Sequence, residues 1–431
     1  ASDRQLSGAI LANVLALTSA GLAVFCGAFF LAADWIATQL YRDSSLSAAF
    51  RLGALLMLVL TLFTLAASVL AGLQDFRAYN LVQVARNFTL LGGTWGGIGW
   101  AGLRGAFVGQ LLAGLFGLAV AGWSGLRLAR ARFPEGIRLK SSRRVLRLIA
   151  SFTLPTLLMT LLNLPTYWWA STMVARHAGF AQVGLLGVAY TLSQLTFLIP
   201  INLYTPAMTF FSETHALSNS TAFGAMVNAN WRAMWMFSLP LALGIGLFSP
   251  WLVRGLFGNS YLAAAPLTLA MSLAALLMLL VGLLNTALVA AGRVWQNLAI
   301  TFGWTALFVI AGLFCIPRWG AAGCAALFAV TYALYLVGVC AYARLALNVR
   351  LTGIGRMASL TVVGFGLAIT FFFNFHGRTG YIANAGLLVG LIVAEWIWIF
   401  DRNERDRLTG IVAEGVKHIS LKHTDSKGVQ T

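Results

Sequence analysis

The sequence predicts an all-α polytopic membrane protein of about twelve transmembrane helices, arranged as two lobes that repeat one another in parallel. Three observations predict this. The chain has 431 residues, of which 59% are hydrophobic and only 10% charged, too little charge to clothe a soluble surface of that size. Apolar runs of roughly 20 residues, the length that crosses a bilayer as a helix, recur from end to end. Two rows also share one spaced pattern: Trp35, Leu40, Ser44, Leu46, Ala48 and Ala49 are matched by Trp251, Leu256, Ser260, Leu262, Ala264 and Ala265. Farther on, Ala71-Gly72 is matched by Ala291-Gly292 and Trp100 by Trp319, so the offset is nearly constant along the chain.

Four runs make the first lobe, residues 1–132: 8–40, 48–73, 81–100 and 103–126. Asp34 stands near an outer helix end and is expected to be wet. Arg86 is the cation set most deeply in an apolar run. It either faces an anionic group of a substrate or snorkels to the cytoplasmic end of its helix, one or two turns away. A basic stretch, 127–147, follows, with Arg127, Arg130, Arg132, Arg138, Lys140, Arg143, Arg144 and Arg147.

Six runs make the second lobe, residues 133–350: 145–174, 181–211, 231–257, 266–291, 295–316 and 319–342. Its first two are the richest in polar and helix-breaking residues. Pro155 and Pro165 weaken the hydrogen-bond ladder of one, Pro200 and Pro206 that of the next. These four are gating candidates, with a static kink as the alternative. The same pair carries Asn163, Thr166, Tyr167, Trp168 and Trp169, then Tyr190, Gln194 and Asn202. Polar side chains in hydrocarbon face a partner or a wet cavity, and aromatic faces stack on sugar rings. The alternatives are an interfacial belt for the Trp pair and interhelical hydrogen bonding for Asn163 and Gln194. Arg176 and His177 occupy the outer turn after the fifth run, as cavity cations or as solvated loop charge. A closing pair, 354–375 and 381–400, makes residues 351–400; Glu395 there, outside both lobes, either faces lipid or packs the tail, or has a functional role. Residues 401–431 form a polar cytoplasmic tail, with a short surface helix over 407–421.

The copies start six helices apart, an even number, so both units point the same way in the bilayer. They are related by an axis along the membrane normal and enclose a cleft that rocking opens to alternate sides. The second copy has two runs upstream of its Trp251 run and the first copy has none upstream of Trp35. Subtracting the offset puts the first lobe's start about 70 residues before Ala1. The expectation is a first lobe without its two N-terminal helices and a parent of about fourteen, with a natural twelve-helix chain as the alternative.

The net charge of +17 belongs to loops rather than to a nucleic-acid surface, because no basic-aromatic module accompanies it. Placing 127–147 in the cytoplasm puts both termini inside. About 22 Lys and Arg then fall on that side, against about seven outside: Arg42, Arg51, Arg104, Arg176, Arg254, Arg318 and Arg378. Enzymatic chemistry finds no footing. The five His (His177, His215, His376, His418, His423) pair with no carboxylate or Cys at ligand spacing. Cys26, Cys315, Cys324 and Cys340 lie in apolar runs with no C-x-x-C. No phosphate-binding loop or nucleophile elbow is present. No metal, cofactor or nucleotide is expected, and transport would run on a gradient.

Three segments carry a family resemblance. Gly184, Tyr190, Pro200 and Pro206 in V-G-L-L-G-V-A-Y-T-L-S-Q-L-T-F-L-I-P-I-N-L-Y-T-P resemble the eighth-helix segment of the polysaccharide biosynthesis proteins. These are the O-antigen and exopolysaccharide flippases of the multidrug/oligosaccharidyl-lipid/polysaccharide exporter superfamily. The row 71–80, A-G-L-Q-D-F-R-A-Y-N, is similar to the family's A-G-x-x-x-F-x-x-Y turn. Trp319-Gly320-Ala321-Ala322-Gly323 looks like the lead-in to its twelfth helix. The likeness covers the chain up to about Phe400.

The resemblance implies a bilobed flippase that moves undecaprenyl-pyrophosphate-linked oligosaccharide across a bacterial inner membrane by alternating access, for lipopolysaccharide or exopolysaccharide assembly. It implies a central cationic cavity built largely from the first two helices of each lobe, half of which this chain is expected to lack; Arg86, read from its own setting, is the cation that would neutralise a pyrophosphate. The implied partners are the lipid-linked glycan, membrane lipids, and a glycan polymerase with other assembly proteins. The alternatives are an ion-coupled small-molecule or multidrug exporter and a membrane enzyme of glycan assembly.

Overall fold

The apolar runs fold as helices. The structure, a computed structural model, describes residues 2–40, 44–73, 75–132, 143–198, 200–216, 220–374 and 377–399. Among them no strand occurs, and twelve α-helices follow in order. These are α1 (Ser2–Trp35), α2 (Ser47–Gly72), α3 (Phe76–Arg132), α4 (Arg143–Ala178), α5 (Phe180–Ser193), α6 (Ile201–Ala216), α7 (Ser220–Leu247), α8 (Ser249–Phe257), α9 (Ala265–Ala290), α10 (Val294–Leu347), α11 (Ile354–Asn374) and α12 (Gly377–Ile399). Among the described residues five stretches are long and apolar enough to cross a membrane, and α7 with α8 makes a sixth if that bent pair is one span.

Two of these helices are hairpins. Straight, the 57 residues of α3 would reach about 85 Å, nearly three times the ~30 Å hydrocarbon core. Non-helical backbone at Ala101 and Gly102 turns the chain back instead. A Cβ built on Gly97 would lie 2.0 Å from the Gly105 carbonyl oxygen, and one on Gly93 would lie 2.4 Å from that of Gly109. Only hydrogen side chains allow backbones this close, so the two G-x3-G rows are what zip the arms. In α10 the break is at Gly320. There a Cβ on Gly323 would lie 2.7 Å from the Cys315 carbonyl. The runs 81–100 with 103–126, and 295–316 with 319–342, are thus helical hairpins.

The backbone repeats as the residue pattern does. α2 and α9 have the same length, 26 residues, so their starts and their ends are separated by one and the same offset. The residue after α2, Leu73, has φ −87°, ψ 7°; the residue after α9, Ala291, has φ −80°, ψ 8°. The turn bonds recur at that offset: Asp75 N–H to Leu70 O and Tyr79 N–H to Asp75 O are answered by Arg293 N–H to Leu288 O and Asn297 N–H to Arg293 O.

The chain divides into two compact units, residues 1–154 and 155–431. In the first, α2 packs against both arms of α3 around buried Phe63, Ala67, Leu70, Val82 and Ala121. Arg51 of α2 pairs with Asp34 at the end of α1. Much of α1 is bare: Val24 is 73% and Leu31 82% exposed, a surface suited to lipid. In the second unit α9 is central, with Ala274, Ala275, Leu276, Leu277, Leu279, Leu280 and Val281 all buried, so burial runs around its whole circumference. α5, α6, α7 and α10 surround it, and the hairpin α11–α12 packs on α7.

Two runs that read as single spans are broken. Residues 181–211 divide into α5, a 3₁₀ turn (Gln194–Phe197) and α6, with Pro200 just ahead of the α6 start, where its missing N–H leaves no helical bond unmade. Residues 231–257 bend by 68° between α7 and α8, with a Pro in the first turn of α8. The bend frees carbonyls that other groups satisfy. Asn384 Nδ2 of α12 donates to Leu247 O at 3.3 Å, and Ser249 Oγ donates to Gly246 O at 2.7 Å. Glu395, expected to face lipid or tail, is 3% exposed inside the second unit.

Candidate functional site

Polar residues in an apolar helix need somewhere to point, and in the second unit several point to one place. A cavity of about 230 Å³ is lined by Thr166, Tyr167 and Trp168 of α4, and by Tyr190, Ser193 and Gln194 at the end of α5. Met271, Ala274, Ala275 and Met278 of α9 complete it with Trp304, Phe328 and Tyr332 of α10. Alanines at 274 and 275 give α9 no bulk to fill the space.

Aromatic rings dominate the walls. Tyr167 and Tyr190 face each other at 4.2 Å between centroids, tilted by 32°. Phe328, Tyr332 and Tyr335 follow at i, i+4 and i+7, one face of the return arm of α10. Trp304 on the other arm meets Tyr332 at 4.7 Å and stacks on Tyr335 at 5.4 Å and 18°. Offset and edge contacts of this kind hold rings in fixed orientations. The two neighbouring tryptophans of α4 divide their work. Trp168 is 64% exposed and lines the cavity, while Trp169 turns to Phe308 and fills the space over Gly312.

The polar groups are few. Thr166 Oγ1 donates to Leu162 O at 2.6 Å and Ser193 Oγ to Tyr190 O at 2.7 Å, so both hydroxyls spend their protons on their own helix. Gln194 brings an amide. The Trp304 Nε1–H is buried without a partner among the described residues, a donor that a hydroxyl-bearing ligand or a water would satisfy. Behind Trp304, Asn285 Nδ2 donates to Tyr335 Oη at 3.0 Å, and Thr301 Oγ1 lies 2.8 Å from the same hydroxyl. Among the described residues no formally charged side chain lines the cavity.

The structure therefore brings together Thr166, Tyr167, Trp168, Tyr190 and Gln194 of the residues expected at a substrate site. Arg176 lies exposed in the last turn of α4, outside the lining. Arg86 belongs to the first unit, where its guanidinium sits 4.8 Å over the Phe63 ring and its Cβ and Cγ pass beside Gly117. The side chains of Asn163, Pro165, Asn202 and Pro206 lie outside the described residues. Of the gating candidates, Pro200 marks a break; α4 runs as one helix through Pro155 and Pro165, and α6 through Pro206. Sequence reasoning missed Trp304, Phe328 and Tyr332. Their signal was the F-x3-Y-x2-Y spacing and the offset itself: Trp304 stands one repeat after Arg86, at the spacing that separates the starts of α2 and α9, so the repeat places a ring where the first unit has a cation.

The chain as a whole is similar to known proteins. The profile of a family described as polysaccharide biosynthesis protein matches residues 11–266. The EPS I polysaccharide export inner membrane protein EpsE of Ralstonia nicotianae is 26% identical over 307 residues, covering 70% of this chain and 68% of that protein. Its counterpart in Ralstonia solanacearum is 27% identical over 318 residues, with the same coverage. Among solved structures, lipid II flippase MurJ in an inward closed conformation superposes with a TM-score of 0.66 at 10% identity, covering 90% of this chain and 83% of that one. An outward-facing multidrug resistance MATE family transporter of the MOP superfamily gives 0.63 at 14% identity over 80% of this chain and 83% of its own. These two likenesses concern the fold.

Proposed function

We propose that this chain, which belongs to the polysaccharide biosynthesis protein family, moves a lipid-linked oligosaccharide across a bacterial inner membrane. In this reading it breaks and makes no covalent bonds. The observation that carries the proposal is the uncharged aromatic cavity of the second unit, walled by Tyr167, Tyr190, Trp304, Phe328 and Tyr332. Flat rings and an amide suit the apolar faces and hydroxyl edges of a sugar. At about 230 Å³ the cavity is below the ~300–1,000 Å³ of sites that enclose a whole drug-sized ligand, so it fits one ring of a longer glycan. The undecaprenyl-pyrophosphate carrier needs cations that this cavity lacks; Arg86 of the first unit is our candidate. The doubled backbone supports alternating access as the route, and the basic loops support cytoplasmic termini.

Export by the Ralstonia relatives supports a glycan cargo for this chain too. The expected partners are the lipid-linked glycan, bilayer lipids and the glycan assembly proteins that supply and polymerise it. Deletion should abolish surface glycan and leave lipid-linked repeat units inside the cell; normal glycan display in the deletion strain would refute the proposal. Aromatic walls also attract organic cations, which favours small-molecule export as a second reading. That reading expects drug sensitivity on deletion with surface glycan intact.

A further inference from the structure

Away from the aromatic cavity, the chain builds a loop with more care than an exposed connection needs. α10 ends at Asn348, which adopts a left-handed conformation (φ 52°, ψ 25°), and Gly353 (φ 74°) releases the chain into α11. Between them, Asn228 of α7 clamps the backbone: its Nδ2 donates to Arg350 O at 3.0 Å and its Oδ1 accepts from Thr352 N–H at 2.7 Å. Arg232 adds a bond from Nη2 to Thr352 Oγ1 at 3.1 Å. Val349 is buried beneath. The loop's shape is thus fixed from a neighbouring helix.

The clamped loop sets Arg350 beside Arg344 of the last turn of α10, around a cavity of about 310 Å³. The remaining walls include Val349, Leu351 and Ile354. Among the described residues neither guanidinium meets a carboxylate. Two guanidiniums and aliphatic side chains lining one cavity are complementary to a phosphate that carries an acyl chain. A free phosphate would use the guanidiniums and leave the apolar walls wet. From this geometry we infer that the cavity at the α10–α11 turn is a site for an anionic membrane phospholipid, held by Arg344 and Arg350. The inference concerns a resident lipid and stands apart from the cargo proposed above.

The test uses the purified full chain and native mass spectrometry, titrating phosphatidylglycerol, phosphatidylcholine and inorganic phosphate separately. Each Arg near a membrane surface contributes ~1 kcal/mol to anionic lipid binding, so the Arg344→Gln/Arg350→Gln pair should weaken phosphatidylglycerol binding by roughly twenty- to thirtyfold. The Arg344→Lys/Arg350→Lys pair should retain most of it. The charge-matched control Arg254→Gln/Arg318→Gln should bind as the parent chain does. Equal phosphatidylglycerol binding by parent and Gln pair would overturn the inference, as would an equal loss in the control. So would inorganic phosphate binding as tightly as the lipid, which would make the ligand a free anion. Should the Gln pair fail to fold, the parent chain decides alone: no preference for phosphatidylglycerol over phosphatidylcholine sinks the site.

Discussion

Gly102 and Gly320 stand one repeat apart and hold the same backbone conformation, φ 58°, ψ −136° in one and φ 55°, ψ −134° in the other. Each is the turning point of a helical hairpin, and this region of conformational space is open to glycine alone. Replacing Gly102 by Ala should cost ~1–3 kcal/mol from backbone strain, since nothing lies within 4 Å of the added Cβ. Gly320→Ala should cost more, because its Cβ would also meet that of Ala178 at 3.1 Å. Thermal unfolding in detergent reads both. A Gly320 variant as stable as the Gly102 variant would show that the α4 contact yields freely.

The glycine zipper of α3 makes a sharper prediction. Gly97 abuts backbone, which cannot rotate aside, so Gly97→Ala must push the hairpin arms apart. The cost should reach the upper end of the ~1–3 kcal/mol typical of overpacking. Gly99, farther along the same arm, has nothing within 4 Å, and Gly99→Ala should be neutral or stabilising by up to ~1 kcal/mol through helix propensity. Opposite signs in paired melting curves are the expected result. A common sign would mean that the zipper is not what holds the arms.

For the aromatic cavity, Trp304→Ala and Tyr190→Ala each remove a ring worth ~0.5–1.5 kcal/mol in contact, so oligosaccharide affinity should fall up to about tenfold. Trp251→Ala removes a ring that is 62% exposed and outside the lining, and should leave affinity unchanged. Quenching of intrinsic tryptophan fluorescence by a soluble oligosaccharide gives the affinities, and surface glycan in cells gives the consequence. Full export by the Tyr190 variant would remove this cavity from the transport path.

Much of this was legible in the residues because the bilayer leaves helices few options. The apolar runs became helix, and the Trp35 and Trp251 rows foretold a backbone in which α9 repeats α2 from first residue to last. Tyr190 and Gln194 could be picked out because polar and aromatic groups stand against an aliphatic background. Trp304, Phe328 and Tyr332 could not: rings at helical spacing in an apolar helix are usually packing, and only folding brings α10 beside α4 and α5. Proline was an ambiguous signal for the same reason. Pro200 breaks its run while Pro206, farther along it, lies within α6. Which of them bends depends on whether neighbouring groups take up the freed carbonyl, a tertiary fact.

The hydroxyl of Tyr335 offers a way to separate stability from binding. Thr301 Oγ1 lies 2.9 Å from Asn297 O and 2.8 Å from Tyr335 Oη, and either hydroxyl can be the donor in the second contact. The same phenol accepts from Asn285 Nδ2 at 3.0 Å. Tyr335→Phe therefore takes a partner from Asn285 Nδ2 and from Thr301 Oγ1, which keeps its bond to Asn297 O, at ~1–3 kcal/mol, yet keeps the ring on which Trp304 stacks. The expected outcome is a melting temperature a few degrees lower with oligosaccharide affinity within about twofold of the parent. Adding Thr301→Val should then cost less than it does alone, because its partner is already gone. If Tyr335→Phe instead abolished binding at unchanged stability, the hydroxyl would touch the glycan, and the cavity would have to extend past Trp304.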